Sequence, residues 1–310
     1  MRDLWSCRRW LYVVPVALAL ACNRGGDARS TPTVALVLKT LNNQFFIDME
    51  AGARAAADSL GIALIVQAAE REIDVERQMQ IVENLLQRHV KVLLLVPSGS
   101  REIVPAVLKA NAAKIPVVTV DTRVDAATLR AAGGTVTTFI GSDNEEGGRL
   151  AGQFLGERLG GKGMVLVLEG IPGHETGDAR LRGFREALAR TPGIAIVASQ
   201  TANWERDQAF NVAQNMLQAH PNVTALFACN DVMALGAIEA IAAAGKTTQI
   251  TVVGFDAQDD ARKAIAAKRM AATIAQNPRA MGRLAVITAA RLLKGETVPT
   301  EQPVAIRLVK

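Results

Sequence analysis

The sequence predicts an α/β fold made of two doubly wound parallel-sheet domains. Ten short runs are almost continuous Val, Ile and Leu, as strands covered on both faces require. Between them lie Ala-, Arg- and Glu-rich stretches with helical spacing, and such alternation builds parallel sheets with right-handed crossovers. The chain has 310 residues, too long for one typical domain of about 100–200 residues. Ten strands are also many for one open sheet, so two similar domains are the economical arrangement.

The first element is read as an export signal. Arg8 and Arg9 close a basic segment, and an apolar run follows over 11–20. That run is too short to span a bilayer core of ~30 Å. Ala19 and Ala21 supply the small residues a signal peptidase needs, so residues 1–21 are expected to be removed. Cys22 would then open the mature chain, in a setting that resembles a lipobox, where the Cys sulfur is acylated. Leu is usual at the position held by Ala19, which leaves a freely soluble form as the alternative. Residues 22–31 are polar and Gly-rich and suit a flexible tether.

The body follows from Thr33. Strands are expected at 34–38, 63–67, 92–96, 117–120 and 138–140, then at 164–168, 194–199, 225–228, 251–254 and 272–274. Stretches such as 46–60, 74–88 and 205–218 read as helices between them. Asp143 is placed to cap a helix over 144–160, and the string Gly147-Gly148-Arg149-Leu150-Ala151-Gly152 reads as close helix packing.

Composition and motifs exclude most other functions. The net charge is +5, with charges interspersed, which does not mark a nucleic-acid-binding surface. The three cysteines, Cys7, Cys22 and Cys229, form neither a disulfide framework nor a zinc site, and Cys229 reads as a small buried hydrophobe. No G-x-G-x-x-G follows the first strand and no P-loop occurs. The three histidines show no H-E-x-x-H spacing, and no Ser stands in G-x-S-x-G. No catalytic residue, metal ligand or cofactor site is expected.

Ligands of open α/β sheets bind at the carboxyl ends of strands, and there the sequence places Lys39, Asn42, Asn43, Phe45 and Phe46, then Asp121, His174 and Arg180. Trp204, Asn230, Asp231, Asp256, Gln276 and Asn277 follow. Carboxylates, amides, a guanidinium and aromatic faces suit a polyhydroxylated ligand, whose hydroxyls hydrogen-bond and whose C–H faces lie on aromatic rings.

The strings ALVLKTLNNQFF, LLLVPSGS, IPVVTVDT, IGSDNEEGGRLAG, LEGIPG, ALFACNDVMALGA, VVGFD and ATIAQNP, in that order, make the chain resemble the periplasmic sugar-binding proteins of ABC importers, in the ribose-binding branch, over residues 32–310. Regulators sharing this fold need an N-terminal DNA-binding helix-turn-helix, and here an export signal stands instead. The resemblance implies a type I periplasmic binding protein with a three-crossing hinge. Residues 32–142 and 277–302 would form one domain, and 143–276 with 303–310 the other. It also implies a ligand set of Lys39, Asn43, Phe45, Phe46, Asp121, Thr122, Arg180, Trp204, Asn230, Asp256 and Gln276, with His174 as a further candidate.

Trp204 stands where the ribose type has Phe, Lys39 where it has a small hydroxyl residue, and Thr122 where it has Arg. These departures point to a six-membered ring, neutral or mildly acidic, rather than free ribose. The alternative is that Arg123 or Arg130 swings in and restores the missing guanidinium. Each candidate also has a plainer reading. Asp121 could cap a helix or join an ion pair, Phe45 and Phe46 could be core, and Lys39 could face solvent. Asn230 could cap a helix, although Asp231 competes for that role. The function implied is non-enzymatic. A monomeric, periplasmic, lipid-anchored protein would bind a monosaccharide or cyclitol and deliver it to a membrane permease, or, as the alternative, present it to a chemoreceptor or sensor kinase.

Overall fold

The computed structural model describes residues 32–310. The expected export signal, Cys22 and the 22–31 tether lie outside the described residues. Among those described, no helix is long and apolar enough to cross a membrane.

The strands are β1 (Thr33–Leu38), β2 (Ala63–Ala68), β3 (Val92–Leu95), β4 (Val117–Val120), β5 (Thr138–Gly141), β6 (Gly163–Glu169), β7 (Ile194–Thr201), β8 (Ala225–Ala228), β9 (Thr251–Asp256), β10 (Ala272–Ala275), β11 (Glu301–Pro303) and β12 (Arg307–Val309). The helices are α1 (Gln44–Leu60), α2 (Val75–Gln87), α3 (Val104–Ala112), α4 (Ala126–Ala131), α5 (Asn144–Arg158), α6 (Glu175–Ala189), α7 (Arg206–Ala219), α8 (Asp231–Ala243), α9 (Asp259–Ala266) and α10 (Pro278–Leu293).

Two six-stranded sheets result, in the orders β11-β5-β4-β3-β1-β2 and β12-β10-β9-β8-β6-β7. The inner strands β1, β3, β4, β8 and β9 are almost wholly buried, which explains their unbroken Val, Ile and Leu. The chain passes between the sheets after β5, after β10 and after β11. Two parallel-sheet domains result as expected, with one antiparallel edge, because β12 pairs antiparallel with β10. β11 runs parallel to β5 and so points toward the other lobe. The chain crosses within a few residues, too few for the helical crossover that a parallel partner needs, and β12 therefore runs away from the lobe boundary.

Each lobe is tied together by a pair of helices that approach through glycine. A Cβ on Gly52 of α1 would lie 2.0 Å from the Arg279 carbonyl oxygen, and one on Gly282 of α10 would lie 1.9 Å from that of Met49. In the second lobe a Cβ on Gly148 of α5 or on Gly183 of α6 would lie 1.9 or 1.8 Å from the carbonyl oxygen of Arg180 or Glu145. The Gly-rich string after Asp143 is thus a helix-packing surface. Asp143 itself caps α5, its carboxylate accepting from the Glu146 amide at 2.9 Å.

Gly282→Ala forces the α1–α10 backbones apart. Overpacking of this kind costs about 1–3 kcal/mol, and urea unfolding of the variant should show a loss of that size.

Candidate functional site

The carboxyl ends of the two sheets face one another across a cavity. Its wall comprises Lys39, Asn43, Phe45, Phe46, Glu72, Asp121, Thr176, Arg180, Trp204, Asn230, Asp256 and Gln276. Of the residues singled out from sequence as ligand contacts, only Thr122 and His174 are missing from that wall. Glu72 and Thr176 were not foreseen.

From the first lobe, Lys39 directly follows β1 and Asp121 directly follows β4. Lys39 is buried, not solvent-facing, and its Nζ lies 3.3 Å from Asp121 Oδ2. The ammonium also sits 5.5 Å from the centre of the Phe46 ring. Asn43 caps α1, with its Oδ1 accepting from the Phe45 amide at 3.0 Å, and its Nδ2 donates to Glu72 Oε1 at 3.0 Å. Phe45 and Phe46 meet edge to face at 5.3 Å, and both belong to the first lobe's core as well as to the cavity wall.

The second lobe is organised on Arg180 of α6, which is 3% exposed. Its Nε donates to Asn144 Oδ1 at 2.9 Å and its Nη1 to the Cys229 carbonyl at 2.6 Å. The same Nη1 lies 3.6 Å from Asp256 Oδ1, and the guanidinium rests 3.8 Å from the centre of the Phe255 ring. Gln276 Nε2 donates to Asp256 Oδ1 at 2.8 Å. Burial nevertheless pushes the Asp256 carboxyl up to about 7, against the pull of Arg180 and the Gln276 hydrogen bond. Asp121 (φ 64°), Trp204 (φ 66°) and Asp256 (φ 115°) all hold left-handed backbone. That conformation costs a non-glycine residue about 1–3 kcal/mol, and such strain concentrates at functional sites.

Thr122, His174, Arg123 and Arg130 stand off the cavity wall. Thr122 is buried behind Asp121, hydrogen-bonded to Asp121 Oδ2 at 3.1 Å and to the Thr176 hydroxyl at 3.1 Å. It therefore opens no room for a larger ring. His174 lies behind Trp204, edge-on with ring centres 6.0 Å apart. Burial and the Lys39 charge hold its pKa well below the usual value, so the ring is neutral. Arg123 does not enter the cavity, because both its terminal nitrogens are taken by Glu301, at 2.6 and 2.8 Å, while its guanidinium covers the Phe139 ring at 3.7 Å. Arg130 is likewise absent from the wall.

Asn230 caps α8, its Oδ1 accepting from the Met233 amide at 2.8 Å. Asp231 does not compete for the cap. It is buried, takes the Thr273 hydroxyl at 2.7 Å and the Gln258 amide at 2.8 Å, and so fixes the turn that carries Asp256. Cys229 is buried and unpaired, as expected, with its thiol pushed up to about 12 by burial.

The lobes touch across the cleft. Gln258 Nε2 donates to Asn43 Oδ1 at 3.0 Å, the Glu175 amide donates to Ser100 Oγ at 3.0 Å, and Arg71 pairs with Glu205 at 3.3 Å. Two buried polar atoms of wall residues, Trp204 Nε1 and Gln276 Oε1, have no hydrogen-bond partner among the described residues. One is a donor and the other an acceptor, and a hydroxyl group can satisfy either kind.

Comparison with known proteins agrees with this geometry. Residues 34–297 match the periplasmic binding protein domain family. The chain is 40% identical over 293 residues to the ribose import binding protein of Salmonella typhimurium, covering 94% of this chain and 95% of the relative. It is 37% identical over 277 residues to the D-allose-binding periplasmic protein of Escherichia coli, covering 89% of each. Among solved structures, an ABC transporter solute-binding protein of Actinobacillus succinogenes with bound D-allose superimposes with a TM-score of 0.85 at 38% identity, covering 90% of this chain and 98% of that one.

Arg180→Met keeps an unbranched, flexible side chain but leaves the buried Asp256 without its cation. Removing one partner of a buried pair costs about 3–5 kcal/mol, and denaturant unfolding of the variant should show a loss of that order.

Proposed function

The chain belongs to the periplasmic binding protein domain family, whose members are solute-binding proteins and not enzymes, and on that premise we propose that it binds one neutral monosaccharide between its lobes and delivers it to an ABC importer. The observation that carries this reading is the composition of the wall. Both lobes contribute carboxylates and amides, Trp204 and Phe46 supply aromatic faces, and a buried donor and acceptor are unmet. Sugar hydroxyls pair with the first set, and sugar C–H faces lie against the second. The wall closes on the cavity from both lobes with twelve residues, an enclosure that suits a single sugar ring rather than an oligosaccharide.

The ligand favours the closed arrangement because only there does it touch both lobes. Lys39 and Trp204, in place of the smaller residues of the ribose type, favour a six-membered ring. D-allose, which relatives bind, is the first candidate. An acidic sugar is not favoured, since Lys39 and Arg180 already face Asp121 and Asp256. The protein would act in the periplasm as a monomer, anchored by lipid on Cys22, with a membrane permease as its partner.

Calorimetry with D-allose, D-ribose, D-glucose, D-galactose and myo-inositol tests the reading. Micromolar or tighter binding of a six-membered-ring sugar is expected. Binding of ribose with no response to any hexose or to inositol would overturn the ring-size assignment. Asp121→Ala and Asp256→Ala should each weaken binding about tenfold or more, because a hydrogen bond to a charged group is worth ~1.5–3 kcal/mol.

Affinity should also fall with acid. With Asp256 titrating at about 7 in the sugar-free protein, a hydroxyl that donates to the carboxylate finds it mostly protonated at pH 6. The sugar-binding constant should drop about tenfold from pH 8 to pH 6, and Asp256→Asn should lose most of that dependence. For the anchor, a radioactive fatty acid should label the wild type and not Cys22→Ser.

A further inference from the structure

Glu72 is the one carboxylate on the cavity wall that no cation pairs with among the described residues. Asp121 has Lys39 at 3.3 Å and Asp256 has Arg180 at 3.6 Å, whereas Glu72 Oε1 takes only a neutral bond, from Asn43 Nδ2 at 3.0 Å. The three carboxylates and two cations leave one negative charge in the cavity when all three carboxylates are ionised. Burial raises the Glu72 pKa, and the Asp121 and Glu205 charges raise it further, while Lys39 and the Asn43 bond oppose them. A carboxylate has about four acceptor positions, so one amide bond leaves Glu72 with capacity facing the cavity.

Its placement depends on the loop between β2 and α2. The adjacent Arg71 turns to the outside and reaches Glu205 of the other lobe at 3.3 Å. Asp74 accepts from the Arg71 amide at 3.1 Å and tightens the same turn. The loop is therefore tied across the cleft on its outer face while its next residue faces the cavity.

We propose, resting on the sugar-binding reading above, that Glu72 is a binding and specificity residue, whose carboxylate accepts a hydroxyl of the neutral sugar beside Lys39 and whose uncompensated charge bars anionic sugars. A neutral hydroxyl supplies the donor that this carboxylate lacks. A uronate would bring a second anion beside it in a medium where charges are poorly screened, a repulsive element that adds to selectivity.

The test measures the affinity of the full chain for D-allose, D-ribose and D-glucuronate, in the wild type, Glu72→Gln and Glu72→Asp. Glu72→Gln keeps the side-chain shape and an oxygen to accept from Asn43. It should lose about tenfold or more for the neutral sugar that the wild type binds, and its preference for that sugar over glucuronate should shrink. Glu72→Asp should weaken the neutral sugar while still excluding glucuronate, because it keeps the charge. Melting temperatures without sugar should match the wild type, which separates lost contact from lost folding. Equal neutral-sugar affinity in wild type and Glu72→Gln would overturn this inference alone, as would glucuronate binding to the wild type within tenfold of the neutral sugar. A wild type that bound none of the neutral sugars would overturn the sugar-binding reading and this inference with it.

Discussion

Arg180 gathers the charges and carbonyls at the cleft edge of the second lobe. Its guanidinium holds the side chain of Asn144 at the first residue of α5, the backbone after β8 and the carboxylate at the end of β9. Those three groups come from three separate segments, and a buried cation is tolerable only when its donors are met. The Phe255 ring covers its face. Asp256, Asn230 and Trp204 are placed around this centre, so the geometry of half the cavity follows from one side chain that must not be left unpaired.

The first lobe meets the same constraint with a smaller pair. Lys39 and Asp121 come from the ends of β1 and β4, which flank β3 in the sheet, and neutralise each other in a buried position. The result is a cavity whose cations are already engaged and whose remaining capacity lies in carboxylate oxygens, amides and an indole N–H. That inventory suits hydroxyl groups better than acids. It also explains why the backbone bends to unfavourable φ at Asp121, Trp204 and Asp256: each must turn sharply off a strand end for its side chain to reach the cavity.

Closure links these half-sites. The bonds from Gln258 to Asn43 and from Glu175 to Ser100, with the Arg71–Glu205 pair, bring the lobes together at separate points around the cleft. Each is a modest polar contact, and an exposed ion pair contributes only about 0–1 kcal/mol. A ligand that touches both lobes therefore has a substantial share in stabilising the closed form.

The sheets were legible in the sequence because buried parallel strands demand continuous Val, Ile and Leu, and most of the cavity wall was legible because it is built from the residues that follow the carboxyl ends of such strands. Thr122 and His174 share that position along the chain, and only packing turned one behind Asp121 and the other behind Trp204. Asn230 and Asp231 are adjacent acceptors at a helix start, and only the neighbourhood of Thr273 and Gln258 decided which one caps. Glu72 lies four residues beyond the end of β2, inside a charged loop, and nothing local distinguishes it from Glu70. Periodicity and strand-end position are properties of the chain over a few residues, so the sequence carries them. Whether a side chain reaches a cavity, and whether its charge finds a partner there, depends on segments brought together from opposite lobes, and that only the tertiary structure decided.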